Sequence, residues 1–214
     1  MTTLRFLILV MVVSIGLACS PKATTDNSHA GMDHNMNMPM DHNGMDHSNM
    51  DHSMMQSSPN AASAPYDLQF LDTMIAHHQG AVEMAGPAEK KAQHAEVITL
   101  AKNIMSSQNQ EIAQMKEWRG KWFAGSAPAI NMEMAGMMGS MKGMDMKKLG
   151  GLTGNAFDLE FISEMIPHHE GAVVMAREAL ERSPKPEIKT LARAIITAQE
   201  AEIAQMKGWQ TTWK

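Results

Sequence analysis

Met74-Ile75-Ala76-His77-His78-Gln79-Gly80-Ala81-Val82-Glu83-Met84-Ala85 returns 91 residues later as Met165-Ile166-Pro167-His168-His169-Glu170-Gly171-Ala172-Val173-Val174-Met175-Ala176. The correspondence runs without a gap from Asp67–Trp122 to Asp158–Trp213, with 27 identities over 56 positions. Beyond the quoted stretch, Glu96, Leu100, Ile104, Gln108, Glu111, Met115, Trp118 and Trp122 are repeated as Glu187, Leu191, Ile195, Gln199, Glu202, Met206, Trp209 and Trp213. The unit is long enough for two helices, so the chain carries an internal duplication.

Within each unit the apolar period is helical. Leu71, Ile75, His78, Val82 and Ala85 step by four and three, and Phe70, Met74, His77, Ala81, Met84 and Ala88 do the same one position earlier. Leu100, Ile104, Glu111, Met115, Trp118 and Trp122 continue the pattern in a second helix. Pro87 in the first repeat, and Pro184 and Pro186 in the second, mark the turns. A single hairpin leaves an apolar face uncovered, so two hairpins are expected to dock about a pseudo-twofold axis as an all-α four-helix bundle. The bundle should span residues 66–214, with repeat one at 66–123, a linker at 124–155 and repeat two at 156–214.

Several polar groups fall on the seams this bundle buries. His77, His78 and Glu111, with His168, His169 and Glu202, would each lose several kcal/mol, roughly, if left ionised and unpaired in the core. Counting back at 1.5 Å per residue from a turn near residue 91 sets His77 level with Met105 to Gln108, within about two turns of Glu111. Met74 precedes His77 by three and His78 by four, so each repeat presents a thioether and imidazoles on one helix face. Two readings follow: a metal site, or a satisfied network in which each glutamate accepts from an imidazole. Met84, Met115, Met175 and Met206 serve either as ligands or as core. Pro167, in place of Ala76, should kink its helix and leave the two halves unequal.

Outside the repeats the chain is unusual in another way. Of its 24 Met and 10 His, many stand in residues 19–65, where one tripeptide occurs four times: Met32-Asp33-His34, Met40-Asp41-His42, Met45-Asp46-His47 and Met50-Asp51-His52. This segment is too polar to offset its chain entropy and is expected to be a disordered tail. Thioether suits Cu(I), while imidazole and carboxylate suit Cu(II), so the tail offers copper ligands for both oxidation states. The linker carries a second set, with Met134, Met137, Met138 and Met141 among its methionines, expected to form a thioether-rich loop.

The first eighteen residues read as an export signal: Arg5, the apolar run from Phe6 to Leu17, then small residues. Ile15-Gly16-Leu17-Ala18-Cys19 resembles a bacterial lipobox, which implies lipidation of Cys19 and membrane attachment through that anchor alone. The alternative is an ordinary secretory signal with Cys19 incidental. Both place the protein outside the cytoplasm, in the periplasm or cell envelope. A net charge of −5 and the absence of any basic run argue against nucleic acid as a partner.

The pattern Asp-x-x-Phe-x-x-x-Met-Ile-x-His-His-x-Gly-Ala-Val-x-Met-Ala, followed by Leu-Ala-x-x-Ile and Gln-x-x-Glu-Ile-x-x-Met, resembles the bacterial family called domain of unknown function 305, which includes CopM-like copper-binding proteins. That resemblance implies a ferritin-like four-helix bundle and extracytoplasmic binding of copper or silver in copper resistance. By position it points to Met74, His77, His78 and Met84, and to Met165, His168, His169 and Met175, with the linker methionines as further ligands. The expected function is therefore a non-enzymatic copper binder that sequesters, buffers or hands the metal to an acceptor protein. The competing class is a ferritin-like redox enzyme, but the Glu-x-x-His of di-iron bundles occurs in neither repeat.

Overall fold

Tyr66–Ala85 forms the first long helix, α1, entered from Pro65 and with Asp67 in its first turn, where a carboxylate meets the positive end of the helix dipole. Gly86 and Pro87 end it, and a four-residue helix, α2 (Ala88–Lys91), fills the turn to α3 (Ala95–Trp122). After two short helices, α4 (Met137–Ser140) and α5 (Met146–Gly151), the second hairpin follows as α6 (Gly154–Arg182) and α7 (Pro186–Thr212). Pro186 opens α7, where its missing N–H is lost at no cost and its fixed φ suits the helix. The computed structural model describes residues 56–141 and 144–213, and among these there is no strand. The export signal, Cys19 and the four Met-Asp-His tripeptides lie outside the described residues.

Two apolar clusters divide the core along its length. One joins the start of α1 (Phe70, Leu71) to the end of α3 (Ile112), the end of α6 (Ala176, Ala179) and the start of α7 (Ile188, Ile195). The other joins the end of α1 (Ala81, Ala85), the start of α3 (Val97, Leu100), the start of α6 (Phe157, Phe161) and the last part of α7 (Ile203, Trp209). Such membership requires α1 and α3 to be antiparallel, α6 and α7 likewise, and α1 to run against α6. The connection from α3 to α6 must then travel the length of the bundle, the single long crossover of ferritin-like bundles.

Repeat two also closes repeat one. The buried Asp158 carboxylate accepts from the backbone N–H groups of Gln93 and His94 at 2.9–3.2 Å and lies 2.6 Å from His94 Nδ1, so it caps the start of α3. His94 stacks on Trp213, with ring centroids 3.8 Å apart and planes within 3°.

The crossover is not the open loop its composition suggested. Ala129 N–H donates to Asp72 Oδ2 (2.8 Å), Asn131 N–H to Thr73 Oγ1 (2.9 Å) and the Asn131 amide to Gln69 Oε1 (2.8 Å), fastening it to α1. Past these bonds Met134, in the turn before α4, and Met137, the first residue of α4, enter the first apolar cluster, and Met132 and Met141 pack against it. Met144 and Met146 pack on the second cluster. Only Met138 of the four candidate ligands here is widely exposed, at 70%. The linker is rich in thioethers as expected, but its methionines were expected outside the core and most pack on it, for a simple reason: an unbranched apolar side chain fills irregular gaps between a short helix and the bundle.

The tail boundary also moves. Ser58 N–H donates to the Ile130 carbonyl (2.8 Å), Met132 N–H donates to Ser57 Oγ (3.0 Å), and the Gln69 amide donates to the Ala64 carbonyl (2.6 Å). Residues 57–64 therefore belong to the fold, because their polar groups complete those of the crossover and of α1. Helix α6 likewise begins at Gly154, two residues before the expected start of repeat two.

Gly171 is where α4 meets α6. A Cβ there would stand 2.4 Å from Ser140 Cβ and 2.5 Å from the Gly136 carbonyl oxygen, and Gly136 itself holds φ at +89°. Backbone faces backbone, so little can give. Replacing Gly171 by Ala should destabilise the protein by about 1–3 kcal/mol through overpacking. The check is a lower urea midpoint at unchanged slope; an unaltered midpoint would show that α4 docks loosely.

Candidate metal centre

Helices α1 and α6 meet at their histidines. The rings of His77 and His168 lie face against face, centroids 3.7 Å apart and planes inclined by 37°. His78 and His169 flank them, each 6.3 Å from its neighbour and tilted by 56°. All four side chains are buried. Nothing in an amphipathic pattern forces four imidazoles to one level; the duplication does, because a motif on α1 recurs on an antiparallel α6 across the twofold axis.

The outer histidines are held by carboxylates. His78 Nε2 is 2.7 Å from Glu111 Oε2 and His169 Nε2 is 2.8 Å from Glu202 Oε2. A carboxylate only accepts, so Nε2 carries the proton and, in the neutral ring, Nδ1 keeps its lone pair. In both rings Nδ1 is buried and makes no hydrogen bond. This is the arrangement by which an outer carboxylate fixes the tautomer of a ligating histidine and raises its basicity. Glu111 and Glu202 are about a fifth exposed, whereas their histidines are not exposed at all.

His77 is the extreme case. Neither of its ring nitrogens makes a hydrogen bond of ordinary geometry. Its pKa lies well below the usual histidine value, first through burial and then through the nearby His78 and His169, with the backbone of His168 pulling the other way. The ring is thus held neutral, the form in which imidazole binds metal. Gln108 and Gln199, at equivalent places on α3 and α7, are also buried, and each keeps an Oε1 without a partner.

The structure gathers some of the expected ligands and separates others. The four histidines and two glutamates form one polar layer across the middle of the bundle. Met74, Met115 and Met175 lie in the apolar cluster on one side, and Met84, Met165 and Met206 in the cluster on the other. Each cluster thus takes methionines from both repeats, and Met74 and Met165 do not share a place. Among the described residues no three His, Cys, Asp or Glu side chains form a cage fit for a metal ion. The bundle's donors are imidazole nitrogens in pairs, bordered by thioethers: a soft set of low coordination number, unlike an oxygen-rich one.

Two expectations of geometry are corrected. His78 pairs with Glu111 at a separation of 33 residues, which puts the reflection point of the hairpin between His94 and Ala95 instead of near 91. The same separation holds for His169 and Glu202, where α6 runs unbroken to Arg182, so α2 occupies the place of that helix's last turn and the chain reverses after it in both repeats. Nor does Pro167 make the halves unequal: α6 is continuous through it, and the two His–Glu contacts differ by only 0.1 Å. The carbonyl that Pro167 leaves unbonded, that of Ser163, belongs to an exposed residue and can turn to water.

Sequence reasoning did not single out Gln108 and Gln199. Their signal was present as an amide on an apolar seam three residues before a glutamate, repeated in both units. Nor did it foresee Asp158 as the cap of α3, although that residue opens the repeat.

Metal-free stability should follow His77. The folded state keeps this ring neutral while the unfolded chain protonates it near the ordinary value of about 6.5, so the unfolded state binds the extra proton. The stability this neutrality allows is present above that pH and is lost as pH falls below it. Urea unfolding between pH 7.5 and 5 should show that loss, and His77→Leu should make the pH dependence shallower. Parallel curves for the two proteins would contradict the assignment.

Comparison with known proteins places this architecture. The family model described as domain of unknown function (DUF305) matches residues 18–119 and again 67–210. Among solved structures, the Cu(I)-bound form of CopM is 40% identical, with a TM-score of 0.59 over 69% of this chain and 96% of that one. CopM is also solved in apo, Cu(II)-bound and Ag-bound forms. A DUF305 protein of Streptomyces coelicolor described as secreted is 31% identical, with a TM-score of 0.61 over 72% of this chain and 96% of that one. The uncharacterized protein L153 of Acanthamoeba polyphaga mimivirus is 41% identical over 51 residues, 24% of this chain, which spans about a third (34%) of that relative. Coverage of both repeats by the family model, and the all-helical fold shared with its solved members, show that the chain belongs to the DUF305 family.

Proposed function

We propose that this protein binds copper, as Cu(I) and Cu(II), outside the cytoplasm, and that it sequesters and buffers the metal or hands it to an acceptor protein. Silver, as Ag(I), would bind as a second soft ion. The observation that carries this reading is the buried histidine layer, in which Nδ1 of His78 and Nδ1 of His169 are desolvated and make no hydrogen bond, beside a buried His77 held neutral. A protein that buried these rings for structure alone would satisfy them, since an unpaired buried polar group costs roughly 1–3 kcal/mol. Relatedness to CopM, solved with Cu(I), Cu(II) and Ag, supports the choice of metal.

In this reading Glu111 and Glu202 orient His78 and His169, and the inner pair His77 and His168 completes the imidazole set. The methionines on either side extend the donors toward thioether and favour the reduced ion. The Met-Asp-His tail captures metal in either oxidation state ahead of the bundle. Residues 1–18 would direct export, and lipid on Cys19 would hold the protein at the membrane. The protein acts by binding, without turnover. Each carboxylate sits on the outer nitrogen of a histidine, where it sets a tautomer; the bridging glutamates of a dinuclear oxidase would instead lie between two metals.

The test is titration of the exported chain, and of a chain starting at Gln56, with Cu(I) against a competing chelator. In each, a variant carrying Ala at His77, His78, His168 and His169 is compared. The variant should lose a class of tight sites, its affinity falling by more than the roughly 10- to 100-fold that follows loss of an outer-shell partner. The tail sites should remain, and circular dichroism should stay helical. Equal Cu(I) stoichiometry and affinity in the helical variant would overturn the bundle as the metal site.

A further inference from the structure

The two repeats agree at the histidines and differ above them. Helices α1 and α6 pack closely and α4 lies on α6, but α3 and α7 hardly touch. Between them opens a cavity of about 670 Å³, walled by Ser107, Gln110, Glu111 and Trp118 of α3 and by Glu187 and Thr190 of α7, among others. Two carboxylates line it, and no lysine or arginine does. Its floor includes Glu111, the carboxylate already bound to His78.

The twofold-related groove is smaller, about 260 Å³, and its wall includes Glu96, Thr99, Asn103, Gln205 and Trp209 but not Glu202. The sequence accounts for the difference. Asn103 stands where the larger groove has Ala194, and Ala198 and Ala201 replace Ser107 and Gln110. One side thus offers a wide, anionic, polar groove that reaches a histidine-linked carboxylate; the groove on the other side is narrower and stops short of Glu202, although Glu202 is about as exposed as Glu111.

We infer that metal cations reach the buried histidines mainly through the α3–α7 groove that ends on Glu111. The inference rests on the function proposed above and adds the route to it. A cation in the groove meets Glu187 and Glu111, whose like charges in a concave, partly desolvated wall raise its local concentration. Directly behind Glu111 lies His78, with its buried, unbonded Nδ1, and beyond it His77. Gln108, one turn before Glu111 on α3, supplies a buried carbonyl oxygen without a partner on the same level. The centre is symmetric; the access is not.

The probe is Ag(I), which needs no redox control, added to the full exported chain in a stopped-flow instrument. All four tryptophans, Trp118, Trp122, Trp209 and Trp213, belong to the bundle, so their emission reports the bundle and not the tail. The relevant phase is the one abolished by Ala at both His77 and His168. Ala194→Phe fills the large groove from an exposed position, and Asn103→Phe is its counterpart in the small one. Ala194→Phe should slow that phase by roughly tenfold while leaving equilibrium affinity unchanged, and Asn103→Phe should leave both unchanged. Glu187→Gln should slow it less, by an amount that vanishes at high salt, and Glu96→Gln should not. Equal uptake rates in Ala194→Phe, Asn103→Phe and the parent would overturn the route while leaving the metal site standing. If the parent shows no phase that depends on His77 and His168, the proposed function fails and the route with it.

Discussion

Four imidazoles buried at one level of a helical bundle set the terms for everything around them. Each must be neutral or paired, because a charge there faces a desolvation penalty of several kcal/mol, roughly, with no solvent to share it. The outer two are paired, through Glu111 and Glu202 on α3 and α7. His77 is kept neutral by burial and by its neighbours. The layer in turn fixes the crossing of α1 and α6, and the contact of His77 with His168 requires the two helices to meet at the same residue of each repeat.

That crossing explains the rest of the architecture. Once α1 and α6 run antiparallel through a shared layer, each end of the core takes one half of every helix, and two apolar clusters of mixed origin result. The long connection must then traverse the bundle. It does so along α1, held by Asp72, Thr73 and Gln69, and reaches α6 where Gly171 lacks a side chain. The clusters are rich in methionine for a packing reason that coexists with a chemical one. An unbranched thioether fills the irregular space beside a polar layer and keeps a soft donor close to it.

Much of this was legible in the sequence because the duplication doubled every signal. The helical hairpins, their docking about a pseudo-twofold axis and the convergence of four histidines and two glutamates all follow from a gapless repeat with helical period. What was not legible depended on tertiary contact. Composition alone could not show that Met134 and Met137 would be buried, since a polar, glycine-containing linker gives no period to read. The register of Glu111 was misplaced because Pro87 suggested an early turn, whereas residues 88–91 are still helical, as the matching residues of α6 are. The role of residues 57–64 was hidden because their partners, Ile130 and Met132, are more than seventy residues away. The consequence of Pro167 was overestimated because its cost depends on which carbonyl it leaves bare, and exposure at Ser163 made that cost small.

A duplicated protein begins with two equal doors, and only a few substitutions are needed to close one. Here Asn103 stands in the place of Ala194, and Ala198 and Ala201 in the places of Ser107 and Gln110, changes that touch neither the histidines nor their glutamates in sequence. They leave the ligand geometry of the two halves equal to within 0.1 Å at the His–Glu contacts, while the two grooves between α3 and α7 differ more than twofold in volume. Affinity and access are thereby placed on different residues. Ligand identity sets how tightly a soft cation is held, and groove shape sets how fast it arrives and leaves. Under the proposed function, in which a soft metal is both retained and handed on, that separation is useful: the rate of exchange can change through α3 and α7 without disturbing the buried histidines.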